Sequence, residues 1–240
     1  TGYFSTWAEA RIVFSPPSSE HNLLIFPDLY HEFGHILRQS LRIELLGVRY
    51  ESELISHLIE LENEVKRQSR PLDKDVIPLI IARWENSWAE EVACDTLASF
   101  ILGPVYGWCN IHLCLQNSDV YHKGSSHPAD AARTKHIFNV LRRCGFNSEV
   151  NKMESIWNKY LDVAEQKTSS YFQDYHPISL FTAIMEDVEE VIKENSFGNL
   201  DKSPTIAILN ESWKQFIENP NIYTEWEEKK VFVLKRNFNT

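Results

Sequence analysis

The sequence predicts a mainly α fold of the α+β kind, with a small β element near the N-terminus and a helical C-terminal part. Three observations carry this expectation. Leu29, Phe33, Ile36, Leu37, Leu41 and Leu45 recur at near-helical spacing behind Pro27-Asp28, a helix start that places an acidic N-cap at the positive end of the helix dipole. From Pro78 to Ile101, Leu79, Ile80, Ile81, Trp84, Trp88, Val92 and Leu97 mark a mostly buried helix that stops at Gly103-Pro104. The extended candidates are short by comparison: Arg11-Ile12-Val13-Phe14 and Leu23-Leu24-Ile25-Phe26, separated by Ser15-Pro16-Pro17-Ser18-Ser19.

Along the chain, the first amphipathic helix covers 28–46 and a second runs from Glu51 to Arg67, where His57 sits among Leu54, Ile55, Leu58 and Leu61 at the edge of a core. After the buried helix come a loop, Asn117–Ser126, and a helix around Arg133–Arg143 closed by Gly145. Residues 147–240 read as the helices Glu149–Gln166, Ile178–Asn195, Thr205–Glu218 and Tyr223–Lys230. Val231-Phe232-Val233-Leu234 reads as an edge strand or a docking segment. Asp187, Glu189, Glu190 and Glu194 read as a solvated face, and Trp157, Trp213 and Trp226 as packing anchors. The expected division is 1–146 for a first domain and 147–240 for a helical extension or subdomain, which shapes access to the first or offers a surface to a regulatory protein partner.

With 240 residues, 43% of them apolar, the chain can bury a sizeable core. Its longest apolar runs, Val76–Ile81 and Leu97–Trp108, fall short of the roughly 18 residues a membrane helix needs, so no membrane span is expected. A net charge of −10 without a long basic run argues against a nucleic-acid partner. The four cysteines (Cys94, Cys109, Cys114 and Cys144) form no C-x-x-C pair, which suits a reducing, cytoplasmic setting. No basic-then-apolar leader pattern opens the chain, and Thr1 in place of Met reads as the start of a trimmed or excised fragment.

The chemistry concentrates in Tyr30-His31-Glu32-Phe33-Gly34-His35. On a helix, His31 and His35 leave the same face and can converge on one metal ion, while Glu32 reaches a water held there. Gly34 inside that helix costs roughly 1 kcal/mol against Ala, which implies that another backbone or side chain packs close against it. A catalytic zinc takes three protein ligands and leaves one position open, so a third ligand is needed. Glu91 and Asp95 are four apart on an otherwise apolar helix. Buried carboxylates without partners are costly, and two on one stripe point to a cation or a hydrogen-bonded histidine beside them. Glu91 is therefore assigned as the third ligand, and Asp95 as the acceptor that fixes the imidazole of His31. Glu90, about 100° round the helix, is the alternative ligand; a solvated edge at Glu90 and Glu91 is the plainer reading. His122 is a backup ligand, Cys94 reads as a small buried residue, and His21, His136 and His176 read as surface or loop residues.

His31-Glu32-Phe33-Gly34-His35, then Glu91-Val92-Ala93-Cys94-Asp95, then Ser126-His127-Pro128 with Arg133 beyond it, together resemble the gluzincin zinc metallopeptidases, closest to their HtpX-like and CAAX-prenyl-protease branch. The resemblance covers roughly residues 10–146. It implies a zincin-like metallopeptidase core, Zn²⁺ held by His31, His35 and Glu91, Glu32 as general base, Asp95 orienting a ligand, and His127 beside the carbonyl of a protein or peptide substrate. A sheet edge near the cleft would receive that substrate as an added strand. The sequence departs from the branch at Ser126, where threonine is usual, and at Thr134-Lys135-His136-Ile137 after Arg133. For His127 the plain alternative is a cap on its own turn. Arg133 is left either a substrate contact or a structural ion pair, at the surface with Asp130 or with an acidic group of the cleft. The alternative function is a degenerate or latent protease fold serving as a regulatory, partner-binding module.

Overall fold

The apolar spacing read from the sequence becomes a bundle of helices around one mostly buried helix. The computed structural model describes residues 4–15, 22–41, 43–67, 76–116, 119–122, 124–163, 172–195 and 203–238. A hairpin comes first: β1 (Ser5–Trp7) pairs antiparallel with β2 (Ile12–Phe14), Thr6 opposite Val13. A single 3₁₀ turn, Ala8–Ala10, joins them, and Arg11 closes it in the left-handed region at φ 55°. Helices α1 (Asp28–Leu41), α2 (Val48–Lys66) and α3 (Val76–Arg83) follow. A π-helical turn, Trp84–Trp88, runs into α4 (Ala89–Leu102), and α5 (Pro104–Cys114) and α6 (Asp130–Arg143) complete the part that carries the motifs. Beyond it lie α7 (Asn147–Val163), the short α8 (Phe172–Tyr175), α9 (Ile178–Glu194), α10 (Pro204–Glu218) and α11 (Tyr223–Phe238).

Helix α4 is the axis of the molecule. It packs against α1, α6 and α9, and from Val92 to Ser99 every residue is buried. Two apolar clusters flank it. One gathers Trp108, Ile137, Leu141, Met153 and Trp213; the other gathers Trp84, Trp88, Leu97, Leu180 and Ile184. Each draws on residues before and after position 146. Trp157 and Trp213 are core anchors as expected, with Trp226 packed at the edge.

Several expectations need correcting. Leu23–Phe26 forms successive turns rather than a strand, closed by Ile25 N–H to the Asn22 carbonyl and Asp28 N–H to the Ile25 carbonyl. Its Leu23 N–H finds the buried Glu227 carboxylate of α11 at 2.6 Å, so a backbone group the strand reading assigned to a sheet is satisfied by a side chain from 204 residues away. Gly103-Pro104 ends α4 but also begins α5: Gly103 turns the chain at φ 62°, and Pro104, which has no N–H to lose, takes a first-turn position. Helix α1 ends at Leu41, short of the expected 46, and α6 starts at Asp130 rather than near Arg133. Val231–Val233 continue α11 instead of forming a strand. Asp187 is buried, not solvated. It accepts the Gly47 and Tyr50 N–H groups at 2.9 and 3.0 Å, capping the exposed amide end of α2 from another helix. His136 and His176 are buried as well; His21 and residues 16–19 of the separating segment lie outside the described residues. Among the described residues no helix is long and apolar enough to cross a membrane.

Candidate metal centre

Gly34 sets how closely the two motif helices approach. A Cβ there would stand 2.6 Å from Cys94 Sγ and 3.1 Å from Cys94 Cα, so only glycine lets α1 lie this near α4. At that separation the histidines of one helix meet the carboxylates of the other. His31 Nε2 lies 3.1 Å from Glu91 Oε2, and His35 Nε2 lies 3.5 Å from Glu91 Oε1. One ligand atom from each of His31, His35 and Glu91 falls within 4.8 Å of the other two, a group that could hold a metal ion.

The outer nitrogens are held by a second pair of carboxylates. His31 Nδ1 meets Asp95 Oδ1 at 2.9 Å, and His35 Nδ1 meets Glu90 Oε1 at 3.0 Å. Each ring therefore has its Nδ1–H given to a carboxylate and its Nε2 turned toward Glu91, the arrangement that fixes tautomer and orientation in metal-binding histidines. Glu90 is in turn held by Arg38 and Gln39 of α1. Asp95, fully buried, accepts from Arg133 Nε and Nη2 at 2.7 and 2.8 Å and from the Tyr106 hydroxyl at 2.5 Å. Such a two-pronged pair with a guanidinium is what makes a wholly buried carboxylate tolerable.

The electrostatics follow from these contacts. Burial alone would raise the Glu91 carboxyl, but hydrogen bonds from His127 and His31 outweigh it and hold it well below the usual carboxylate range. Burial likewise opposes charge on Asp95, and Arg133 with His31 overrides it. The His31 imidazole, which burial would make less basic, is pushed up to about 10 by Asp95 and Glu91. A neutral imidazole has one proton and two nitrogens, and here both nitrogens face carboxylate oxygens, so one lone pair would oppose another. The group is satisfied by a second proton on His31, or by a cation in the proton's place. The donor set of two imidazoles and a carboxylate with an outer ring of acceptors fits a divalent metal.

A cleft of about 1080 Å³ opens over this group. Asp28, Glu32 and His35 of α1 line it, as do Glu91 of α4, the Ser5 and Thr6 backbone segment, and His127 with Arg133. Glu32 is nearly buried and pairs with no side chain among the described residues. His127 projects Nε2 to 3.2 Å from Glu91 Oε2, while its Nδ1 lies 2.8 Å from the Ser126 hydroxyl. Asp28 is buried at the cleft wall, and that burial pushes its carboxyl up to about 6.

The structure thus brings together His31, Glu32, His35, Glu91, Asp95, His127 and Arg133 in one place. Two readings change. Arg133 lies below the surface as a nearly buried partner of Asp95. Glu90, the alternative ligand, faces the far nitrogen of His35 and acts as its acceptor. His122 lines the cleft without joining the metal group. Tyr106, Arg38 and Asp28 escaped the sequence reading in these roles. Tyr106 lies inside an apolar run with nothing to distinguish it, whereas Arg38, one turn beyond His35, carried a weak helical-spacing signal. Set against protein-family models, curated proteins and solved structures, the chain matches none.

Proposed function

We propose that this protein is a zinc-dependent metallopeptidase of the gluzincin type, hydrolysing peptide bonds in a protein or peptide substrate. The observation that carries the reading is that Glu91 is approached by the inner nitrogens of His31 and His35 while both outer nitrogens are locked by carboxylates. A structural ion pair needs no such double orientation. His31, His35 and Glu91 would hold the ion; imidazole and carboxylate donors in this number suit zinc. When bound, zinc supplies Lewis-acid activation of water and of a carbonyl at neutral pH.

The remaining work falls to this chain's side chains. Glu32 faces the cleft beside His31 with no ion-pair partner among the described residues, which leaves its carboxylate free to take the proton of an attacking water and hand it to the leaving amine. With the Ser126 hydroxyl donating to Nδ1, His127 carries its hydrogen on Nε2 and offers it to the carbonyl oxygen as charge develops; a donor of this kind typically lowers the barrier by about 2.7–4 kcal/mol. Asp95, pinned by Arg133 and Tyr106, keeps His31 in the required tautomer. Strand β1 lines the cleft through Ser5 and Thr6 and pairs on one edge only among the described residues, which supports an extended peptide adding alongside it.

Replacing Glu32 with Gln tests the reading. The variant should bind zinc like the wild type and cleave a broad peptide library at least about a hundredfold more slowly. A variant that still cleaves at the wild-type rate removes Glu32 from the chemistry. A zinc-loaded wild type that leaves the library intact favours a partner-binding module instead.

A further inference from the structure

His127 is half exposed, with 49% of its side chain accessible, so no packing around the ring explains why it faces Glu91. The explanation lies in the backbone on either side. Arg83 and His176 both pack on the Trp88 ring and reach the segment 124–129. The Arg83 guanidinium carbon lies 5.2 Å from the centre of the Trp88 ring, and the Trp88 and His176 rings lie 5.1 Å apart and only 9° from parallel. The two groups packed on Trp88 each grip one end of the segment. Arg83 Nη1 donates to the Gly124 carbonyl at 2.7 Å, and His176 Nε2 accepts the Ala129 N–H at 3.2 Å. His176 Nδ1 donates to the Phe172 carbonyl at 2.9 Å, which fixes the tautomer that leaves Nε2 an acceptor. Between the ends, the Ser87 hydroxyl reaches the Ser125 carbonyl at 3.4 Å.

The π turn makes this possible. Its wider winding, with hydrogen bonds spanning five residues, brings Arg83 and Trp88 onto one side, where an α-helix would separate them. Trp88 is fully buried and its Nε1–H has no partner among the described residues. The ring serves as a stacking plane and not as a donor.

We propose that Arg83, Trp88 and His176 are positioning residues whose stack holds the segment 124–129 so that His127 faces Glu91 across the cleft. The proposal rests on the reading of His127 as a group that works at the metal centre. It also gives the helical part after residue 146 a share in the site, through His176. Holding the segment in one conformation costs chain entropy, and the two terminal hydrogen bonds supply the restraint at its ends.

The experiment compares Arg83→Met, Arg83→Lys, His176→Ala and His176→Asn with the wild type. In metal-free protein, the rate at which diethylpyrocarbonate modifies His127 is read by mass spectrometry and divided by the rate at His122, which lines the same cleft but is not gripped by the stack. Both nitrogens of His127 are engaged in the native position, so release exposes them. The ratio should rise about fivefold in Arg83→Met and in His176→Ala, the factor that loss of one ordinary hydrogen bond produces. Arg83→Lys and His176→Asn, which keep a donor and an acceptor, should return most of it. In the zinc-loaded protein, peptide cleavage by the two disruptive variants should lose between about ten- and a hundredfold in kcat, with KM and zinc affinity within about twofold of wild type. An unchanged His127-to-His122 ratio in both disruptive variants overturns the proposal. If one variant also makes the buried His136 reactive it has unfolded, and the variant at the other end of the stack decides. If the wild type cleaves no peptide, the peptidase reading fails, while the modification ratio still decides whether the stack positions His127.

Discussion

The buried carboxyl of Asp28 should make the metal-free protein lose stability as it ionises, and removing its charge should restore that stability. Asp28 opens α1 in the wall of the cleft, nearly buried. Burial raises its carboxyl to about 6 from 3.8, with Glu32 adding to the rise while His31 and Arg133 pull against it. Below about pH 4 the group is neutral in folded and unfolded chains alike and contributes no difference. Between about pH 4 and 6 the unfolded chain gives up this proton and the folded chain keeps it, so the fold weakens as pH rises through that window. The gap from 3.8 to about 6 is about two pH units, and at about 1.4 kcal/mol for each, the penalty above pH 6 is about 3 kcal/mol. Asp28→Asn keeps the shape and an acceptor oxygen without the charge. In chelator-treated protein near pH 7.5, urea unfolding should therefore show the variant more stable by about 3 kcal/mol, and Tm should rise by roughly 6–12 °C for a chain of this size. Near pH 4 the two proteins should unfold together. A variant no more stable near pH 7.5, or one whose gain persists unchanged near pH 4, refutes the assignment of a buried, reluctantly ionised carboxyl at this position. A gain in stability joined to a loss of peptide cleavage would mark Asp28 as a residue retained for the cleft at the expense of the fold.

Other outcomes follow from the same geometry. Asp95→Asn leaves the Arg133 guanidinium buried without its counter-charge and strips His31 of its acceptor; it should cost about 3–5 kcal/mol in stability and ten- to a hundredfold, roughly, in zinc affinity. Stability within about 1 kcal/mol of wild type would show that the pair is not the brace described here. Gly34→Ala drives a methyl group into Cys94 and should lose about 1–3 kcal/mol, with Cys94→Ala in the same chain recovering part of it; full additivity of the two losses would place the cause elsewhere. Because the metal-free His31 holds its second proton up to about pH 10, an ion entering the site must displace it. Zinc affinity measured by chelator competition should rise about tenfold per pH unit near neutrality, and a flat profile would mean that no proton leaves His31 when the ion enters.

The centre was legible because each helical motif carries its own spacing. Four-residue separations put His31 with His35 and Glu91 with Asp95 on single faces, and the cost of burying two carboxylates in an apolar helix tied the motifs together before any contact was seen. Gly34 was legible for a related reason: an expensive residue in a helix implied the close neighbour that Cys94 turns out to be. What the sequence hid are contacts whose partners are remote and whose residues look ordinary. Asp187 caps α2 from 140 residues beyond Gly47, and among neighbouring glutamates it reads as one more solvated acid. Glu227 satisfies Leu23 in the same manner, which is why turns replaced a strand at Leu23–Phe26. Arg133 reads as a surface cation until α6 is laid against α4. His176, the residue just after α8, shows no pattern that links it to Ala129. Periodicity reports the face a residue occupies; it does not report which distant helix covers that face.

Zinc content addresses the core of the account most directly. The chain is loaded with zinc, desalted and analysed for metal alongside Glu91→Ala and Glu32→Gln. The wild type and Glu32→Gln should each retain about one zinc per chain, and Glu91→Ala should lose it. A wild type that retains no zinc, or a Glu91→Ala protein that holds it as firmly as the wild type, contradicts a centre built from His31, His35 and Glu91.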